Sequence, residues 1–181
     1  MQSLNFEVLR KDYPELADLG GFAEQYAYSD PAGAAAKLRT FVRVLTFAIY
    51  AHYKLPRSSG TNFVLLEGPV FKSLVRQDVL DKFHSIRKTG NDALYGRVGP
   101  ITQDIALSRL KDAHYPGKWW AMLALKSDLV SDEFKIPPVQ PSLPPEIQKR
   151  LKEQEQLLEK TIAEQRMCGS NTTKSRRRAL I

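Results

Sequence analysis

An all-α fold, an up-and-down bundle of about five helices over residues 14–128, is what this sequence predicts. Three observations point to it. Apolar residues recur at three- and four-residue spacing through several long segments, no convincing alternation of strand type is present, and Pro, Gly and Asp punctuate the chain at helix-length intervals.

Pro14 opens a first short helix, Pro14 to Tyr26, with Gly20-Gly21 weakening its middle. The second starts more clearly. Asp30 can cap it and Pro31 suits its first position. Leu38, Phe41, Val42, Leu45, Ile49 and Tyr53 then mark a buried face, and Pro56 ends the segment in a Pro-Arg-Ser-Ser-Gly loop. "TNFVLLEGPVFKSLV" reads as two short helical pieces broken at Gly68-Pro69. The next long helix runs through "RQDVLDKFHSIRKTGNDAL", with Val79, Phe83, Ile86, Gly90 and Leu94 as its inward stripe. The last carries Ile101, Ile105, Leu107 and Leu110, then Trp119, Trp120, Met122 and Leu125. Pro116-Gly117 is expected to kink or interrupt it.

After Lys135 the composition changes. Residues 1–135 read as the bundle domain and 136–145 as a Pro-rich, semi-rigid linker. Residues 146–166 read as a polar connector helix with a thin stripe of Ile147, Leu151, Leu158 and Ile162. Residues 167–181 read as a basic tail, disordered in isolation.

The net charge of +7 is unevenly placed: Glu146–Ile181 holds nine Lys/Arg against five Asp/Glu, which leaves +3 for the first 145 residues. So weak a field does not by itself argue for nucleic-acid binding. No apolar run is long enough to span a membrane, and the N-terminus lacks a signal-peptide core. Cys168 is the single cysteine, so an internal disulfide is impossible and a cytoplasmic location is expected. No phosphate loop, HExxH motif or paired metal ligands appear, so neither a metal nor a cofactor is expected. His52, His84 and His114 read as core or surface residues, and Trp119-Trp120 as a pair with one ring in the core and the other at a subunit or domain contact. Arg176-Arg177-Arg178 reads as a solvated run that could also touch phosphate.

The segment "FHSIRKTGNDALYG" raises a sharper question, because Gly and Asn are poor interior residues of a helix. Arg87, Asn91 and Tyr95 are four apart and share one stripe, beside the inward stripe that contains Gly90. Gly90 lets a neighbouring helix, or a ligand, approach the backbone. The helix from Asp30 to Lys54 is the expected neighbour, with Arg39 facing the same rim. Two roles fit. Arg87 and Asn91 tie neighbouring helices together, or Arg39, Arg87, Gly90, Asn91 and Tyr95 form a binding site for nucleic acid or a partner.

The run "LDKFHSIRKTGNDALYG" resembles the signature of a domain-of-unknown-function family found at the N-terminus of type I restriction enzyme R (restriction) subunits. That signature is close to Leu-Arg-x-x-Gly-Asn-x-Ala-x-His-Gly, and Arg87, Gly90, Asn91, Ala93 and Gly96 match it. The start of the chain, with Leu-Asn-Phe, Pro-Glu-Leu, an aromatic-acidic-Pro turn and Lys-Leu-Arg, looks like the usual opening of such subunits. The resemblance covers about residues 1–128 and implies a HEPN-like bundle. Active HEPN ribonucleases carry an arginine and, after a short spacer, a histidine on this helix. Tyr95 stands at the histidine position. A phenol with a reference pKa of about 10 is no general base at neutral pH. The resemblance therefore implies a non-catalytic accessory or interaction domain of a restriction system, with other domains or subunits of that system as partners and DNA or RNA as a further class. The alternative it offers is a HEPN-like ribonuclease or toxin-type protein. In R subunits a nuclease domain and an ATP-driven translocase follow the connector. "KSRRRALI" would open that nuclease domain, and this chain would be a piece of a longer one.

Overall fold

Helix α2, Pro31–His52, is the element against which the others pack: α1 (Pro14–Tyr26), α5 (Gln77–Tyr95) and α6 (Gln103–Ala124) all lie on it, and α5 also packs on α6. Two short helices, α3 (Asn62–Glu67) and α4 (Pro69–Leu74), bridge α2 to α5, and a 3-10 turn, Glu7–Leu9, precedes α1. The computed structural model describes residues 2–56, 60–96, 99–126 and 133–139. Among them there are six α-helices and no strand, so the fold class is all-α. The chain divides into two units, Met1–Gln140 and Pro141–Ile181. The second unit, and with it the connector helix, the basic tail and most of the expected linker, lies outside the described residues.

The expected starts and stops are local chemistry. The Asp30 carboxylate accepts from the Gly33 N–H at 2.8 Å, and Pro31 occupies the first turn of α2. Leu38, Phe41, Val42, Leu45 and Ile49 are fully buried on its inward face. Gly68 separates α3 from α4 with extended ψ, and Pro69 starts α4. The two short helices are held by Tyr50, whose hydroxyl donates to the Leu65 carbonyl at 2.8 Å and whose ring stacks on Phe71 at 5.5 Å. Gly96, at φ +60°, caps α5 in the left-handed conformation.

Several expectations need correction. The bundle starts before Pro14, because Phe6 and Leu9 are core residues. Phe6 meets Phe41 edge-on at 5.0 Å and lies so close to α1 that a Cβ on Gly20 would come within 2.3 Å of its ring. The Gly20-Gly21 pair that weakens α1 locally thus makes room for the first large core side chain. Of the two expectations for Pro116-Gly117, a kink or an interruption, the interruption does not occur. Helix α6 runs unbroken to Ala124, with both residues buried. A Cβ on Gly117 would stand 3.3 Å from Phe41 and 3.4 Å from Phe6, so tertiary packing there outweighs the roughly 3 kcal/mol helix cost of proline. Leu94 is 52% exposed rather than inward, because Gly90 is the last buried residue of α5 and the final turn extends past the packed face. Ile105 and Met122 are likewise exposed on α6.

The N-terminal segment is fastened by a buried carboxylate. Glu24 on α1 accepts hydrogen bonds from Ser3 Oγ (3.0 Å), Leu4 N (2.7 Å), Asn5 N (2.8 Å) and Asn5 Nδ2 (2.9 Å). Asn5 then pairs in both directions with the Lys135 backbone, donating to its carbonyl at 2.9 Å and accepting from its N–H at 2.8 Å. The Tyr28 hydroxyl donates to the Pro137 carbonyl at 3.1 Å. The first residues of the expected linker are therefore docked on the bundle, and Pro137 is buried.

Replacing Glu24 by Ala leaves backbone and side-chain donors without their acceptor. We expect it to lower stability by about 2–4 kcal/mol in urea denaturation, and an unchanged midpoint would refute that role.

His114 provides a pH dependence. It is buried between Phe6 (6.4 Å) and Phe134 (5.8 Å), and burial, reinforced by the Lys118 charge, holds its pKa below the ordinary histidine value. The unfolded chain takes up this proton at higher pH than the folded chain does. Stability present above about pH 6.5 should therefore decline as pH falls below that value. Glu7, Asp18, Glu67 and Asp78, whose carboxyls are held below the usual range by hydrogen bonds, add a decline of the same sign at lower pH. His114→Leu should reduce the slope of the upper part of the curve, between about pH 7 and 5, in urea midpoints measured across pH, the remainder coming from His84, whose pKa burial also lowers.

Candidate functional site

At Gly90 the backbones of α5 and α2 come close: a Cβ there would lie 2.3 Å from Arg39 Cβ and 2.8 Å from the Ala35 carbonyl oxygen. No other residue type fits without movement. Beside this contact lies a cleft of about 470 Å³. One wall is α2, through Arg39, Arg43 and Phe47. The opposite wall is α5, through Arg87, Asn91 and Tyr95, and the start of α3 with its preceding loop, Gly60–Phe63, closes one side.

The five residues singled out from sequence are brought together. Arg39, Arg87, Asn91 and Tyr95 line the cleft, and Gly90 forms the helix contact behind it. Arg39 Nε donates to Asn91 Oδ1, which joins the two walls. The Arg87 guanidinium lies over the Phe63 ring at 5.0 Å, and that of Arg43 over Phe47 at 5.6 Å. Arg87 Nε is buried with no hydrogen-bond partner among the described residues. Tyr95, in the last turn of α5, is 61% exposed at the cleft.

Electrostatically the cleft is one-sided. Among the described residues its lining holds Arg39, Arg43 and Arg87 and no carboxylate. Glu67 lies close by, but it pairs with Lys72, whose ammonium holds its carboxyl below the usual range, and with His84 at 3.3 Å. His84 has its pKa pushed down chiefly by burial, and the Arg87 charge acts in the same direction. Among the described residues no imidazole lines the cleft itself. The arrangement suits recognition of a carboxylate or phosphate by guanidinium forks beside aromatic faces.

Sequence reasoning missed Arg43, Phe47, Thr61, Asn62 and Phe63. Arg39, Arg43 and Phe47 are spaced by four along α2, so that part of the wall could have been read as a stripe next to the core face. The α3 residues reach the cleft only through tertiary folding. The other candidates lie elsewhere. Trp120 is fully buried near Tyr13 and His52, whereas Trp119 is half-buried. His52, His84 and His114 belong to three separate ring contacts. No helix among the described residues is long and apolar enough to cross a membrane. Comparison with protein-family models, with curated proteins and with solved structures finds no match for this chain.

Gly90→Ala tests the helix contact. The added methyl must push α2 away, at a cost of about 1–3 kcal/mol, and the helix-propensity gain of roughly 1 kcal/mol offsets only part of this. The expected result is a net loss of stability in urea melts. A net gain would mean that the helices are not in close contact there.

Proposed function

We propose that this chain is a non-catalytic interaction module of the kind found at the N-terminus of type I restriction enzyme R subunits, with a HEPN-like arrangement of its helices. It works in the cytoplasm through the cleft between α2 and α5. Its partners are other domains or subunits of a restriction system, with nucleic acid as the competing ligand class. The observation that supports this reading is the identity and setting of Tyr95. It shares the cleft with Arg87 and Asn91 at the position where the resembling ribonucleases need an imidazole. A phenol there can donate a hydrogen bond to an anion but is not a general base at pH 7.

The test is direct. The 181-residue chain, incubated with single-stranded RNA and DNA in the presence and absence of divalent metal, should leave both intact. Cleavage that disappears in Arg87→Ala would overturn the proposal in favour of the ribonuclease reading. Tyr95→His returns an imidazole, with a reference pKa of about 6.5, to the cleft. If the rest of the site is laid out as in an active ribonuclease, this variant gains RNA cleavage that the parent lacks.

A further inference from the structure

Phe63 belongs to two hollows at once. On one face it carries the Arg87 guanidinium and lines the basic cleft. On the other it lines a second hollow of about 500 Å³, walled by Leu55, Pro56, Val64, Val70 and the Tyr50–Phe71 stack. Phe63, Val64 and Val70 are 47%, 49% and 51% exposed, although they sit on the two short helices that Tyr50 fastens to α2. An exposed apolar group on a rigid platform, continuous with an arginine-lined cleft, is a docking surface with two chemistries.

We infer that this surface binds a protein segment in which carboxylate side chains lie next to aliphatic or aromatic ones, the carboxylates entering the cleft of Arg39, Arg43 and Arg87 and the apolar side chains filling the hollow beyond Phe63. The inference rests on reading the chain as an interaction module and names the chemistry of its partner. Charge complementarity sets the first half, because among the described residues the cleft lining holds three arginines and no carboxylate. The lining of the hollow sets the second half. Its exposed groups besides Phe63 are largely aliphatic, and Val, Leu and Pro are matched by apolar side chains rather than by the flat faces of bases. The arginines lie on one side of Phe63 and the aliphatic groups on the other, so the segment has a fixed direction across Phe63. The charge of the first 145 residues, only +3, also favours a short acidic segment over a polyanion.

Short random peptides displayed on phage and selected on the immobilised full chain provide the test. The enriched peptides should carry Asp or Glu close to Leu, Ile, Val or Phe. One selected peptide, labelled for fluorescence anisotropy, should bind at least about tenfold more weakly to Arg43→Glu and to Val70→Asp, a loss typical of an interface anchor. Both replaced side chains are exposed, so the thermal melts of these variants should match the parent's. Four outcomes would each overturn the inference: no enrichment, enriched peptides without acidic residues, undiminished binding by either variant, or tighter binding of a single-stranded oligonucleotide of equal charge. None of the four bears on the cleavage assay. Loss of the peptide result with RNA left intact therefore rejects this partner and not the module, whereas RNA cleavage rejects the module itself.

Discussion

The close approach of α5 to α2 at Gly90 governs the geometry of everything around it. With no side chain between them, the two backbones come within reach of one another's polar groups, and Arg39 can donate to Asn91. Any larger residue would widen the helix pair, separate that bond and draw Arg87 away from Arg39 and Arg43. Glycine and asparagine, both poor helix formers, are tolerated mid-helix because α5 gains its stability from Val79, Leu80, Phe83 and Ile86 packed in the core. Local propensity is given up at the point where the site is built, a pattern expected of functional positions.

A second constraint is the placement of Phe6. Its ring fits between Gly20 on α1 and Gly117 on α6 and touches Phe41 on α2. Three helices therefore share one side chain supplied from outside all of them. The buried Glu24 holds that side chain in place by collecting the donors of residues 3–5, and this arrangement satisfies polar groups that would otherwise be stranded beside an apolar core.

Much of this was legible in the sequence. The limits of α1, the cap and buried face of α2 and the break at Gly68-Pro69 follow from local signals that act within one turn. So does the shared stripe of Arg87, Asn91 and Tyr95, since four-residue spacing places α5 side chains on one face, whereas Arg39 joins them only through the packing of α2 on α5. What was not legible depends on contacts between distant segments. Nothing local marks Phe6 as core, and nothing local shows that Pro116-Gly117 remains helical because Phe6 and Phe41 lie against it. Leu94 continues the inward spacing past the point where a partner helix is present, and periodicity cannot show where packing ends. Phe63 and Asn62 enter the cleft from a short helix pair whose position is set by core packing of Leu65, Leu66 and Phe71 and by Tyr50, which stacks on Phe71 and bonds the Leu65 carbonyl.

The bonds from Asn5 to Lys135 and from Tyr28 to Pro137 have a mechanical meaning. Residue 139 leaves the bundle beside the segment that enters it. Tension applied to the chain there, against residue 2, is met first by those hydrogen bonds and by the bonds of residues 3–5 to Glu24, so that of the helices only α1 lies in the load path. Force loads the clasp before it strains the α2–α5 contact. The two ends of the described bundle are thus tied to one another, and the α2–α5 contact is shielded from a pull on them for as long as the clasp of Asn5 and Tyr28 holds.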